Sequence, residues 1–251
     1  MRCESIAARA RRFVLDVNLG EDLMRRLLLA SAVALVLIVW SGVGTAAAEE
    51  GHHAPVFAPR SSPFGESYRQ WATEWLQRVA GTPTPTNPFL HPDNCGPGPN
   101  PHAWFLAGAL DGAETANCTV PEHKGLLISP LGNFCSGATN NVFTFRKLRD
   151  CAFVGLDQVT AVRLRIDGRS VRHPNRFFIV SRKFRFDIPS DNIFGVPGQT
   201  TPAVVIGDFI MIRPLTEGRH TIVAYAAGPF PQGFAKITYH IHVVEAAGNK
   251  R

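Results

Sequence analysis

The sequence predicts a mainly β protein: an antiparallel β-sandwich, immunoglobulin-like or jelly-roll, with one amphipathic helix near its amino-terminal end. Three observations lead there. Short apolar or alternating runs recur at intervals of roughly 8 to 15 residues, separated by Gly, Pro, Asn and Asp. One stretch alone, Ser67 to Val79, carries a continuous helical stripe. Four cysteines follow an export-type leader, the usage expected of a disulfide-stapled extracellular domain.

The leader occupies residues 1–48. Arg25 and Arg26 form a basic start, Leu27 to Trp40 an apolar core, and Ala46-Ala47-Ala48 before Glu49 a small-x-small cleavage site, which together read as a secretory signal peptide. The same run approaches the ~20 residues of a membrane anchor, but Gly42, Gly44 and the alanine triplet favour cleavage. The expectation is a single disulfide-stapled domain over 49–251, with no transmembrane segment after signal cleavage. The whole chain carries 26 Lys and Arg against 20 Asp and Glu, a net +6. Removing the leader lowers this to about +4, compatible with an anionic partner and too small to require nucleic acid, so no nucleic-acid partner is expected. His52 and His53 lie side by side at the new amino terminus, in a polar tail.

Cys3 belongs to the leader, which leaves Cys95, Cys118, Cys135 and Cys151. Two disulfides have three possible pairings. Sequence neighbours closing modest loops favour Cys95 with Cys118 and Cys135 with Cys151, each contributing on the order of 3 kcal/mol if unstrained. No C-x-x-C spacing occurs, which argues against a zinc ribbon or a thioredoxin-like site.

In the helix, Tyr68, Trp71, Ala72, Trp75, Leu76 and Val79 form the apolar stripe, and Arg69, Gln70, Glu74, Gln77 and Arg78 take the other face. Ser67 is placed to cap its start and Gly81 to stop it. The stripe is expected to cover the sheet, since burying each large aromatic stabilises by roughly 2 to 3 kcal/mol. Gly81 to Pro101 is a proline-dense covering strap pinned by Cys95.

Trp104 to Gly108 and Gly125 to Pro130 are too short for helices and read as buried strands. Phe143 to Val154 stays open between strand and short helix. Val162, Leu164 and Ile166 alternate with Arg163 and Arg165, and Asp167-Gly168 turns the chain into a hairpin. Phe184, Phe186 and Ile188 alternate with Lys183, Arg185 and Asp187, a second half-buried strand. Val204 to Ile212 is apolar enough for a strand buried on both faces. His220 to Ala226 and Phe234 to Val244 flank the turn-rich Gly228 to Gly233 and form the last hairpin.

The helix motif Ser67-Tyr68 … Trp71 … Trp75 combines with Trp104-Phe105-Leu106-Ala107-Gly108, Cys118-Thr119-Val120-Pro121, Gly218-Arg219-His220-Thr221-Ile222 and Thr238-Tyr239-His240. In these the chain resembles a group of uncharacterised bacterial secreted proteins. The resemblance spans most of the mature chain and implies no activity, cofactor or site residue. Leu76 and Glu122-His123 depart from the pattern.

The expected function is an exported extracellular or cell-envelope binding module, non-catalytic, for an anionic glycan or envelope polymer. Alternation puts Arg163 with Arg165, and Lys183 with Arg185, on solvent faces; if those strands are neighbours they make a cationic stripe. Such a face also serves simply to guard an edge strand. The enzyme alternative is metal-dependent. His240 and His242 share a strand face, and a hairpin closing symmetrically about Phe230 sets His220 opposite position 240, giving three imidazoles for an open zinc or copper site. A register shift of one residue removes His220 from that face. A third reading is a structural envelope component that self-associates. No G-x-S-x-G, phosphate-binding Gly loop, H-E-x-x-H or G-x-G-x-x-G after a strand occurs, and Asp111, Glu114, Asp187 and Asp208 are scattered. No catalytic residue and no cofactor is therefore assigned.

Overall fold

Helix α1, Tyr68–Ala80, begins where the sequence offers a cap: Ser67 and Gln70 form a reciprocal capping box, and Gly81 ends the helix with its N–H on the Gln77 carbonyl. The computed structural model describes residues 54–246; the leader, its cleavage site and His52-His53 lie outside the described residues. Strands β1 (Gly96–Pro97), β2 (Ala103–Leu106), β3 (Gly112–Pro121) and β4 (Gly125–Ser136) follow α1, and then helices α2 (Gly137–Asn140) and α3 (Phe145–Ala152). The remainder is strand: β5 (Ala161–Ile166), β6 (Arg169–Ser170), β7 (Phe178–Val180), β8 (Phe184–Ile188), β9 (Gln199–Ile212), β10 (Gly218–Ala227) and β11 (Phe234–Val244). The open segment at Phe143 to Val154 resolves as α3, capped by the Thr144 side chain on the Lys147 N–H.

The fold is mainly β, built from two sheets that do not close into a barrel. One has the order β1-β2-β4-β9-β7, with β8 also paired to β9; the other has the order β3-β11-β10-β5-β6. Both are mixed, which corrects the all-antiparallel expectation: β2 runs parallel to β4, and β3 parallel to β11. The cause is connectivity. β3 crosses to the second sheet between β2 and β4, so the chain re-enters the first sheet in its original direction, as no tight hairpin permits.

A continuous core joins the two sheets, with Ile222, Ala224, Ile237, Tyr239 and Ile241 from one and Leu126, Ile128, Ile210 and Ile212 from the other. The indole N–H of Trp75 donates to the Leu106 carbonyl at 3.0 Å, and the Tyr239 hydroxyl donates to the Ala107 carbonyl at 3.1 Å. The end of β2 is thus held from one side by α1 and from the other by the five-stranded sheet. Both helix tryptophans are buried, Trp71 edge-on to Phe105 and Trp75 edge-on to Phe209. They are core, as the stripe predicted. From Ala203 to Ile212 every residue of β9 is buried, as a central strand with both faces covered requires.

Close backbone packing appears where β9 meets the bulge of β4 between Ile128 and Leu131. Gly207 has φ 142°, and a Cβ there would lie 2.1 Å from the Leu131 carbonyl oxygen, so no other residue fits. The hairpin turn at Asp167 (φ 49°) and Gly168 (φ 76°) has both residues left-handed, as a two-residue loop between twisted strands demands.

Two disulfides form, Cys95 with Cys118 and Cys135 with Cys151, each with 6.0 Å between Cα atoms. The first fastens the proline-rich strap to β3. Asn87, fully buried, holds the same strap by donating to the Val79 and Thr82 carbonyls. The second ties α3 to β4, where Leu148 and Ala152 pack on Val204 and Ile206. Among the described residues no helix is long and apolar enough to cross a membrane.

Candidate functional site

Part of the polar side of α1, with Arg69 and Gln70 exposed, forms one wall of a concavity among the described residues. The opposite wall is the edge strand β7 with the 3-10 turn Pro174–Phe177 before it, and the floor includes Pro59 to Ser62. The cleft has a volume of about 1250 Å³, larger than the ~300–1,000 Å³ of most small-molecule sites and suited to a segment of a longer chain. Helical spacing places Arg69, Thr73 and Gln77 in a row along its wall. Arg176 and Arg182 bracket the two ends of β7, and Arg60 enters from the segment before α1.

All four arginines are exposed, and none forms an ion pair among the described residues. The one carboxyl in the cleft is Glu74. It lies beside Glu66, whose Oε1 accepts from Asn100 Nδ2, and the Oε2 atom of each glutamate is buried without a partner. Burial, then the close approach of the Glu66 carboxyl, push Glu74 up to about 8. Glu74 therefore resists ionisation more than an ordinary carboxyl does. The cleft presents four guanidinium groups to an incoming anion.

Arg69, Val180 and Arg182 also border a second concavity of about 700 Å³, whose far wall is α3 and the residue after it, with Phe145, Arg149 and Phe153. Phe145 and Phe153 are 44% and 40% exposed. Arg149 is held by Asp150 at 2.7 Å and so adds little net charge. The cationic track thus passes into an aromatic rim.

The residues singled out from the sequence are distributed differently. Arg163 and Arg165 are exposed on β5, in the five-stranded sheet, whereas Arg185 is on β8 and Lys183 immediately precedes it, at the border of the six-stranded sheet. The stripe that required β5 and β8 to be neighbours does not form, because after β6 the chain leaves one sheet for the other. Arg185 instead donates to the Thr200 carbonyl.

The three histidines are also separated. β10 and β11 pair His220 with Ile241 and Thr221 with His240. Six residues lie between the paired Ala227 and Phe234, so the hairpin is centred between residues 230 and 231 and the register is one residue from symmetry about Phe230. His240 and His242 are exposed on the outer face, while His220 is on the inner side, its Nδ1 2.8 Å from Asp167 and its Nε2 2.8 Å from the Thr216 carbonyl. Both ring nitrogens of His220 are engaged. Among the described residues no group of three or more His, Cys, Asp or Glu is placed to hold a metal. Nor do the carboxylates converge: Asp111 accepts the Gln232 N–H, Asp187 the Thr200 hydroxyl, and Asp208 is buried in β9.

Arg176 and Arg182 fall in the basic run from Arg163 to Arg185, and the helical pattern assigns Arg69 to the polar side of α1, but nothing local sets these residues beside one another or beside Arg60. The meeting of α1 with β7 is a tertiary contact.

No protein-family model matches the chain, and no curated protein matches it. Among solved structures it is similar to PbICP-C in complex with falcipain-2 (15% identity, 56% of this chain and 98% of that one, TM-score 0.23). It is also similar to Amebosin (12% identity, 58% and 100%, TM-score 0.21) and to the cysteine protease inhibitor EhICP2 from Entamoeba histolytica (11% identity, 56% and 93%, TM-score 0.18).

Proposed function

We propose that this is an exported binding module that holds an anionic polymer, a glycan or an envelope polymer rich in carboxylate or phosphate, in the cleft between α1 and β7. The observation that carries the reading is the set of four guanidinium groups, unpaired among the described residues, around one chain-sized concavity. Planar guanidinium forks match carboxylate and phosphate oxygens two at a time. Thr73 and Gln77 add neutral hydrogen-bonding groups along the same helix face, suited to sugar hydroxyls. Two disulfides fit an extracellular or cell-envelope location, as does the signal-like leader.

The test is calorimetric titration of the mature protein with short oligogalacturonate chains. Binding is expected to weaken steeply as salt rises and to fall at least about tenfold in the Arg69→Glu, Arg182→Glu double variant, the change produced by losing about 1.4 kcal/mol. Affinity unchanged by that double reversal would dispose of the cleft as the site.

A further inference from the structure

The outer face of the five-stranded sheet is a second cationic surface, sharing no residue with either cleft. Register determines its composition. Tyr225 pairs with Lys236 on one side and Arg163 on the other; Val223 pairs with Thr238 and Arg165; Arg219 pairs with His242, and Thr221 with His240. These positions point away from the core, because their alternates Ile222, Ala224, Ile237, Tyr239 and Ile241 are buried within it. Along β3 the outward positions are Ala113, Thr115, Asn117 and Thr119, all exposed. No Asp or Glu occupies an outward position on these four strands. Of the carboxylates at the rim, Asp167 is held by His220 and the Thr221 N–H and Asp93 by the Asn117 N–H, while Glu217 and Glu245 are exposed just beyond the ends of β10 and β11.

The positive groups are spread in two dimensions. From β5 to β11 is two strand spacings, about 10 Å, and from Tyr225 to Arg219 along β10 about 20 Å. Arg163 and Arg165 lie on one strand, Arg219 on the next, and Lys236 on the one after. In their midst Tyr225 stacks on Phe234 with ring centroids 6.0 Å apart, and the Arg163 guanidinium sits over the Tyr225 ring at 5.6 Å. That pairing holds the charge close to the sheet and beside an amphipathic aromatic pair. A polymer strand engages a linear track such as the cleft. An open face with cations on three adjacent strands reaches its full complement of charges only against an extended anionic plane.

We infer that this face docks the protein onto an anionic lipid bilayer surface, with Arg163, Arg165, Arg219 and Lys236 against the headgroups and the Tyr225–Phe234 pair at the interface. Each basic residue near such a surface strengthens association about fivefold, and aromatic rings favour the headgroup level. The docking is independent of the polymer cleft, so the protein binds polymer and membrane at the same time.

Co-sedimentation of the mature protein with vesicles of phosphatidylcholine containing phosphatidylglycerol, and with vesicles of phosphatidylcholine alone, tests this. Binding is expected to the anionic vesicles only, to weaken by at least about 25-fold in the Arg163→Glu, Arg165→Glu variant, to persist in Arg163→Lys, Arg165→Lys, and to be unaffected by Arg69→Glu, Arg182→Glu. Unchanged near-ultraviolet circular dichroism establishes that each variant is folded. Absence of binding to anionic vesicles overturns the inference, as does binding lost with the cleft pair and retained in the β5 pair. So does a result in which reversal at Arg163 and Arg165 reduces only the binding of soluble oligogalacturonate, which would make this face a polymer site. Failure of oligogalacturonate to bind the cleft leaves the vesicle result standing on its own.

Discussion

Asp208 offers a direct measure of what burial does to a charge in this fold. It is 2% exposed on β9, opposite Leu131 of β4 and Phe178 of β7, and its Oδ1 has no hydrogen-bond partner. Burial alone raises its carboxyl from 3.8 to about 7, since no positive group stands near enough to offset the lost hydration. The native state therefore keeps a proton that the unfolded chain releases near pH 4. The sign follows: Asp208 favours folding fully only below the unfolded value, and its contribution is lost as pH rises through about 7. Between pH 5 and pH 8 the loss comes to about 3 kcal/mol, a substantial share of the ~5–15 kcal/mol by which domains are stable. An asparagine has nearly the same volume and no proton to lose. Asp208→Asn is thus expected to have a shallower pH dependence than the parent, gaining about 3 kcal/mol on it between pH 5 and pH 8. Urea unfolding at several pH values measures this, and the difference between the proteins cancels every other titrating group. Two stability profiles that stay parallel within about 0.5 kcal/mol across the range would refute the reasoning.

Glu74 couples pH to the cleft. With its carboxyl raised to about 8, oligogalacturonate affinity should fall as pH rises through that value and Glu74 becomes an anion among four arginines, and Glu74→Gln should abolish the alkaline loss; calorimetry at pH 7 and pH 9 separates the two proteins. Gly207→Ala should destabilise by more than about 2 kcal/mol, or prevent folding, because a Cβ would meet the Leu131 carbonyl at 2.1 Å in a backbone conformation restricted to glycine. Denaturation of that variant beside Gly168→Ala, where a Cβ meets nothing within 4 Å, distinguishes a steric clash from the cost of a positive φ alone.

Local order in the chain determined a great deal. The stripe of Tyr68, Trp71, Trp75 and Val79 with its Ser67 cap specified a helix and the face it buries. The Asp167-Gly168 pair specified a hairpin, the apolar run ending at Ile212 a central strand, and short sequence separation the two disulfides. Each of these depends on contacts between near neighbours, or on a period that one segment carries within itself. Phe143 to Val154 was the local exception. Its helix depends on the Thr144 cap and on Leu148 and Ala152 finding Val204 and Ile206, a surface supplied by distant strands.

Only the tertiary structure decided which sheet each strand joined, and the sites depend on that choice. Alternation placed Arg163 and Arg185 on solvent faces without stating that β5 and β8 belong to different sheets. His220 left His240 and His242 because one residue of register reverses a strand's faces, and an aromatic and proline-containing loop of six residues does not fix that residue from its composition. The arginine-lined cleft exists because α1, selected by its apolar stripe, packs beside β7. The cationic outer face exists because the cross-strand neighbours of Tyr225 are Arg163 and Lys236. Charges far apart in sequence acquire a common purpose only when backbone hydrogen bonds set their strands side by side, and that pairing is decided by how the whole core packs.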